Sequence, residues 1–150
     1  SNAVFIPQRA YFPEGTLRHA LSYPSADNDY TDEQLKQALE HALLPQLCSQ
    51  LDVAGQWNQQ LSGGEAQRLA MARVFLKQPS WVFADEATSA LDEVTEKVIY
   101  ERLLQMVMRQ GGALVSVEHR PSVAAYHQRL WQLVNVNEGS IKSHVLQVSH

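Results

Sequence analysis

Two short stretches, separated by one helix-length of chain, constrain this sequence more than anything else in it. In Leu61-Ser62-Gly63-Gly64-Glu65-Ala66-Gln67-Arg68 a serine, two glycines and a glutamate stand where a helix begins. Ser62 and Glu65 have the spacing of a capping box, in which each side chain takes the other's backbone amide. Free amides, the positive end of the helix dipole and a hydroxyl converge at such a point, and glycine lets an anion approach the backbone. That combination is suited to holding phosphate. By itself the stretch is more simply a capped helix with a flexible entry. In Trp81-Val82-Phe83-Ala84-Asp85-Glu86 a continuous apolar run ends on two adjacent carboxylates. The run predicts a buried parallel strand, and the carboxyl end of such a strand is where α/β proteins bind ligands. One carboxylate there can hold Mg²⁺ and its neighbour can orient or deprotonate an attacking water. Alone, a strand ending in Asp-Glu is common.

The remaining sequence supplies a frame for both. Val4-Phe5-Ile6 predicts a short strand broken at Pro7-Gln8. Thr16 caps a short helix through Leu17, Ala20 and Leu21 after the turn at Pro13-Glu14-Gly15. Thr31-Asp32-Glu33-Gln34 is a second capping box, followed by Leu35, Ala38, Leu39, Ala42 and Leu43 at helical spacing. Gly55 to Gln60 reads as a polar loop, and the helix opened at Ser62 runs to about Gln78, where Pro79 ends it. Asp92 caps a long helix carrying Val94, Val98, Leu103 and Val107, stopped by Gly111-Gly112. Ala113 to Val117 is another buried strand, and Leu130 to Val134 with Ile141 to Val148 forms a β-hairpin around Asn137-Glu138-Gly139. The order is α/β with a helical insertion: residues 9–78 mostly helical, 79–150 the remainder of an α/β core. Ser1-Asn2-Ala3 looks like a tag remnant outside the fold.

Charge and cysteine usage narrow the function classes. With 12 Lys and Arg against 16 Asp and Glu in 150 residues, the net charge of −4 argues against a nucleic-acid partner. A single cysteine, Cys48, precludes an intrachain disulfide and reads as a small packing residue. No apolar run reaches the ~18 residues a bilayer span needs. The histidines show no metal-ligand spacing, and Trp57, Trp81 and Trp131 read as packing residues.

Taken together and in this order, the motifs resemble the ATP-binding-cassette (ABC) transporter ATPase family. Leu61 to Glu65 is similar to its signature motif, Val82 to Glu86 to its Walker B strand and Ser89-Ala90-Leu91-Asp92 to its D-loop. His119 stands where the family has its switch histidine, and Gln8 where it has the Q-loop glutamine. The resemblance implies a partial P-loop NTPase fold with a helical signature subdomain and a C-terminal hairpin. It implies ATP and Mg²⁺ as ligands, with Ser62, Gly63, Gly64 and Glu65 near the γ-phosphate of ATP held by a second ATPase domain. It further implies Asp85 on Mg²⁺, Glu86 as catalytic base, His119 on the γ-phosphate and Asp92 at the dimer interface. Gln8 would sense both metal and attacking water and link the site to a transmembrane domain.

Gly15-Thr16-Leu17-Arg18 after the Q-loop looks like exporter-type domains. Leu21-Ser22-Tyr23-Pro24 is similar to the peroxisomal fatty-acyl transporters and the bacterial inner-membrane peptide-uptake proteins. That likeness implies work at the cytoplasmic face of a membrane. Ala84 and Glu118 depart modestly from the family pattern and remove no functional group. The alternative is an ABC-type ATPase of DNA repair or chromosome maintenance, against which stand the Glu86 to Glu93 run and the acidic balance. No lysine follows a glycine, so the phosphate-cradling G-x-x-x-x-G-K-[ST] loop is missing from the sequence, and these residues alone are expected to be inactive. In the family's topology the strand leading into that loop lies between those matching Ala113–Val117 and Leu130–Val134. The expectation is therefore an open gap there, covered by a partner chain.

Overall fold

The computed structural model describes residues 3–120, 128–137 and 140–149, with side chains described through Val117. Strand β1 (Ala3–Ile6) starts one residue earlier than expected, since Ala3 pairs with Trp81. A two-residue strand β2 (Gly15–Thr16) leads into α1 (Leu17–Ser22), and α2 (Asp32–His41) follows the predicted Thr31–Gln34 capping box. A 3₁₀ turn (Pro45–Gln50), β3 (Ala54–Gly55) and α3 (Trp57–Gln60) precede the long helix α4 (Gly63–Lys77). Then come β4 (Trp81–Asp85), α5 (Glu93–Arg109), β5 (Ala113–Arg120), β6 (Gln128–Asn137) and β7 (Ser140–Ser149).

The main sheet runs in the order β1-β4-β5-β6-β7. β1, β4 and β5 are parallel, and β6 and β7 join antiparallel. α4 carries buried residues nearly all round, among them Leu69, Met71, Ala72, Val74 and Phe75, which marks it as a helix inside the core rather than on its surface. It packs against α1, α2, α5 and β1, so the helical half and the sheet share one apolar core.

Four expectations need correction. β5 and β6 pair directly, Ala113 opposite Asn135 through Arg120 opposite Gln128, so the expected gap is closed within the chain and needs no partner there. Backbone groups left unpaired are costly, and an antiparallel neighbour satisfies them as well as a parallel one. The same ladder extends β5 through His119 to Arg120. The region Gly55–Gln60 is not a loop. Gly15 and Thr16 pair with Gly55 and Ala54, and Trp57 is buried with its Nε1–H donating to the Gly15 carbonyl at 3.0 Å. On α5 the buried stripe is Ile99, Leu103, Met106 and Val107, while Val94 is 76% exposed. Finally, Trp81 is not a core residue. It stacks on Phe83, and with Phe5, opposite Phe83 in the ladder, it forms a partly exposed apolar row on one sheet face. The turn expected at Asn137-Glu138-Gly139 falls on Glu138 and Gly139, which lie outside the described residues; the ladder ends at Asn137 opposite Ser140.

Candidate functional site

The capping box at α4 is present in full. The Glu65 amide donates to Ser62 Oγ at 3.1 Å and the Ser62 amide donates to Glu65 Oε1 at 3.0 Å. The Ser62 amide first, and its hydroxyl second, hold the Glu65 carboxyl below its ordinary range. The first amides of α4, those of Gly63 and Gly64, lie beyond the reach of any intrahelical acceptor. The two glycines also permit a close contact. A Cβ on Gly63 would lie 3.3 Å from the Ala90 Cβ, and one on Gly64 would lie 3.4 Å from the Ala90 carbonyl oxygen. The helix start is therefore pressed against the segment 89–92.

At the end of β4, Asp85 pairs with Val117 of β5 and is exposed. Glu86 then leaves the strand with φ of +50°, in the left-handed region that non-glycine residues rarely occupy. Its amide donates to the Val117 carbonyl at 2.8 Å, which anchors that strained backbone to the sheet. Ala87 and Thr88 are buried, and the Thr88 hydroxyl donates to Glu96 at 2.7 Å. The turn closes through Ser89 N–H to the Glu86 carbonyl and Leu91 N–H to the Thr88 carbonyl. Asp92 caps α5 by accepting the Thr95 amide at 2.8 Å, and that bond is the main cause of its lowered carboxyl pKa.

Gln8, two residues past β1, reaches the same place: its Nε2 donates to Ser89 Oγ at 3.4 Å. Joining all these parts is Gln67, which sequence reasoning passed over. It is 7% exposed. Its Nε2 lies 3.0 Å from Ser89 Oγ, 3.3 Å from the Gln8 carbonyl and 3.4 Å from the Glu86 carbonyl, and its Oε1 accepts the Ala90 amide at 2.8 Å. The available signal was an amide inside the otherwise apolar inner run of α4, a place where a polar side chain needs a partner.

Of the predicted residues, the structure brings Gln8, Glu86 and the 89–92 segment together around Gln67, and packs Gly63 and Gly64 against Ala90 of that segment. His119 lies on the backbone of β5, two residues beyond Val117, and its side chain is outside the described set. The oxygen donors at the β4 end suit a hard divalent cation such as Mg²⁺. A cleft of about 600 Å³ between α2, the end of α4 and α5, lined by His41, Phe75, Arg102 and Arg109 among others, contains none of the predicted site residues. Cys48 is half-buried, with its thiol pushed up by burial.

The ABC transporter family model matches residues 2–89, more than half of the sequence. This chain belongs to the ABC transporter family. Among its relatives are an uncharacterized ABC transporter ATP-binding protein of Synechocystis, 38% identical over 148 residues that cover 91% of this chain and 22% of that protein. The lysosomal cobalamin transporter ABCD4 of Mus musculus is 39% identical over 140 residues, covering 87% of this chain and 22% of its own length. Among solved structures, that of a bacterial Atm1-family ABC exporter with ATP bound is similar with a TM-score of 0.64 at 28% identity, over 79% of this chain and 21% of that one. This ABC family chain thus spans about a fifth of the length of the relatives it matches. The mixed α/β ABC ATPase fold and the exporter-like affinity expected from the motifs both hold.

Proposed function

We propose that this chain is the signature-bearing part of the ATPase engine of an exporter-type membrane transporter, coupling ATP hydrolysis to movement of a substrate across a membrane. The observation that carries the reading is the convergence of Gln8, Glu86 and Ser89 on one buried side chain at the carboxyl end of β4, beside the capped start of α4. Glu86 is the general base. Its backbone, held by Val117, turns the residue out of the sheet at the point where an attacking water is deprotonated. Asp85 is the carboxylate that would hold Mg²⁺, which when bound neutralises phosphate charge. The α4 start, with Ser62, Gly63 and Gly64, faces the γ-phosphate of ATP on a second ATPase domain, and the amides and helix dipole there favour the anion. His119 completes the phosphate contacts, and Asp92 lies at the domain–domain boundary. The phosphate cradle with its lysine is supplied from outside these residues, as are the transmembrane domain and the cargo site. The engine then works at the cytoplasmic face of the membrane, that of the bacterial inner membrane by the likeness to the peptide-uptake proteins.

The test is made on the full-length transporter in membranes or detergent. Glu86→Gln keeps size and hydrogen bonding but removes the base, and is expected to lower ATP turnover by about a hundredfold or more while nucleotide binding persists. Ser62→Arg fills the phosphate site and is expected to block closure of the two-domain sandwich. Retention of most turnover by Glu86→Gln would refute the assignment.

A further inference from the structure

We infer that Gln67 is a positioning residue that couples phosphate engagement at the start of α4 to the placement of Gln8 and Glu86 in the same domain; this rests on the ATPase reading above. The amide of Gln67 has a fixed orientation, because the Ala90 amide is a pure donor and must face Oε1. The two hydrogens on Nε2 therefore point to three acceptors. Ser89 Oγ at 3.0 Å takes one, and the carbonyls of Gln8 at 3.3 Å and Glu86 at 3.4 Å share the other. A single uncharged, nearly buried side chain thus ties the ends of β1 and β4 and the segment that follows β4 to one point on α4.

That point lies four residues into the helix from Gly63, about 6 Å along its axis. An α-helix is stiff over that distance, so a shift or rotation of its capped start carries Gln67 with it. The carbonyl that Gln67 holds on Glu86 belongs to the residue with φ of +50°. Backbone in that region is stable only when its surroundings hold it there. The shared and somewhat long bonds to Gln8 and Glu86 are the ones a small displacement would tighten or release. The close packing of Gly63 and Gly64 on Ala90 gives the same helix start a second, direct grip on the segment. Because the α4 start serves ATP on the opposite domain, while Gln8 and Glu86 serve ATP on their own, Gln67 links the two sites. Such a link is reciprocal in binding free energy and appears as cooperativity in ATP.

The experiment uses the full-length transporter and measures steady-state ATPase against ATP concentration. Wild type is expected to show a Hill coefficient above one. Gln67→Met removes every bond at similar length. Gln67→Glu keeps the acceptor for Ala90 but sets a carboxylate oxygen against two carbonyls. Both are expected to lower kcat about ten- to a hundredfold, the scale set by a small misplacement of reacting groups, with KM changed less than about twofold and the Hill coefficient falling toward one. Ser89→Ala, a change at an exposed residue that removes one of the acceptors of Gln67, is expected to fold and to shift both quantities in the same direction by less. It decides the matter where a Gln67 variant fails to fold. Wild-type kcat and cooperativity in Ser89→Ala and in a folded Gln67→Met, a rise in KM alone, or a wild type without cooperativity would overturn the coupling while Glu86→Gln remained dead. A wild type lacking ATPase activity, or an active Glu86→Gln, would instead overturn the functional reading and this inference with it.

Discussion

The amide of Glu86 donates to the carbonyl of Val117 across the β4–β5 boundary at 2.8 Å while Glu86 itself sits at φ of +50°. One backbone bond therefore holds the proposed base in a conformation its own side chain disfavours. Glycine enters the left-handed region without that penalty, whereas alanine does not. Glu86→Gly is expected to be more stable than Glu86→Ala by about 1 kcal/mol. Both lack the carboxylate, so paired thermal melts isolate the backbone effect. An alanine variant as stable as the glycine variant would show that the strain is absent in solution.

The adjacent glycines after α5 are predicted to differ sharply. A Cβ on Gly112 would lie 1.5 Å from the Ser80 carbonyl oxygen, at the point where the Ala113 amide bonds that same oxygen. Gly111 has φ of +69° and open space around it. Gly111→Ala is expected to cost about 1 kcal/mol from backbone strain, and Gly112→Ala about 3 kcal/mol or more because backbone must move. Denaturant midpoints of the two variants check the order.

Acid should weaken the α4 cap. Glu65 has its carboxyl pKa lowered from the ordinary 4.5 by bonds to Ser62 that exist only in the folded chain. The unfolded chain therefore binds the proton more tightly. The stabilisation is present in full above pH 4.5 and is lost as pH falls through the lower folded value. Glu65→Ala is expected to cost about 1 kcal/mol at neutral pH. The gap between variant and wild type should close at pH values below that of the folded carboxyl. Urea melts at neutral pH and at acid pH measure it, and a gap independent of pH would contradict the cap's electrostatic origin.

Trp57 should be sensitive to loss of a single atom pair. Its buried Nε1–H bonds the Gly15 carbonyl at 3.0 Å and joins α3 to the β2–β3 pair. Trp57→Phe removes the donor and leaves that carbonyl without it, at a cost of about 1–2 kcal/mol, and Trp57→Ala about 3–5 kcal/mol through the cavity. Equilibrium unfolding followed by far-UV circular dichroism separates the two.

What the sequence determined by itself was local. Thr16, Thr31, Ser62 and Asp92 cap their helices because a side-chain oxygen and an amide a turn away need no tertiary help. The apolar runs at Val4–Ile6, Val82–Ala84 and Ala113–Val117 became parallel strands, as short continuous apolar runs in an α/β order are suited to do. The placement of Asp85 and Glu86 at a strand's carboxyl end followed from that run alone. Long-range pairing decided the rest. Nothing near Gly15 announces its partner Gly55, and nothing near Ala113 announces Asn135 as its neighbour, because ladder partners are chosen by which unsatisfied backbone groups meet in three dimensions. Trp81 and Phe83 look like core residues in sequence, and only the tertiary structure leaves them 39% and 41% exposed. Gln67 looks like an ordinary amide in a helix until folding surrounds it with the carbonyls of Gln8 and Glu86, the Ser89 hydroxyl and the Ala90 amide. A side chain's role as a hub depends on groups 19 to 59 residues away along the chain, and no local pattern encodes them.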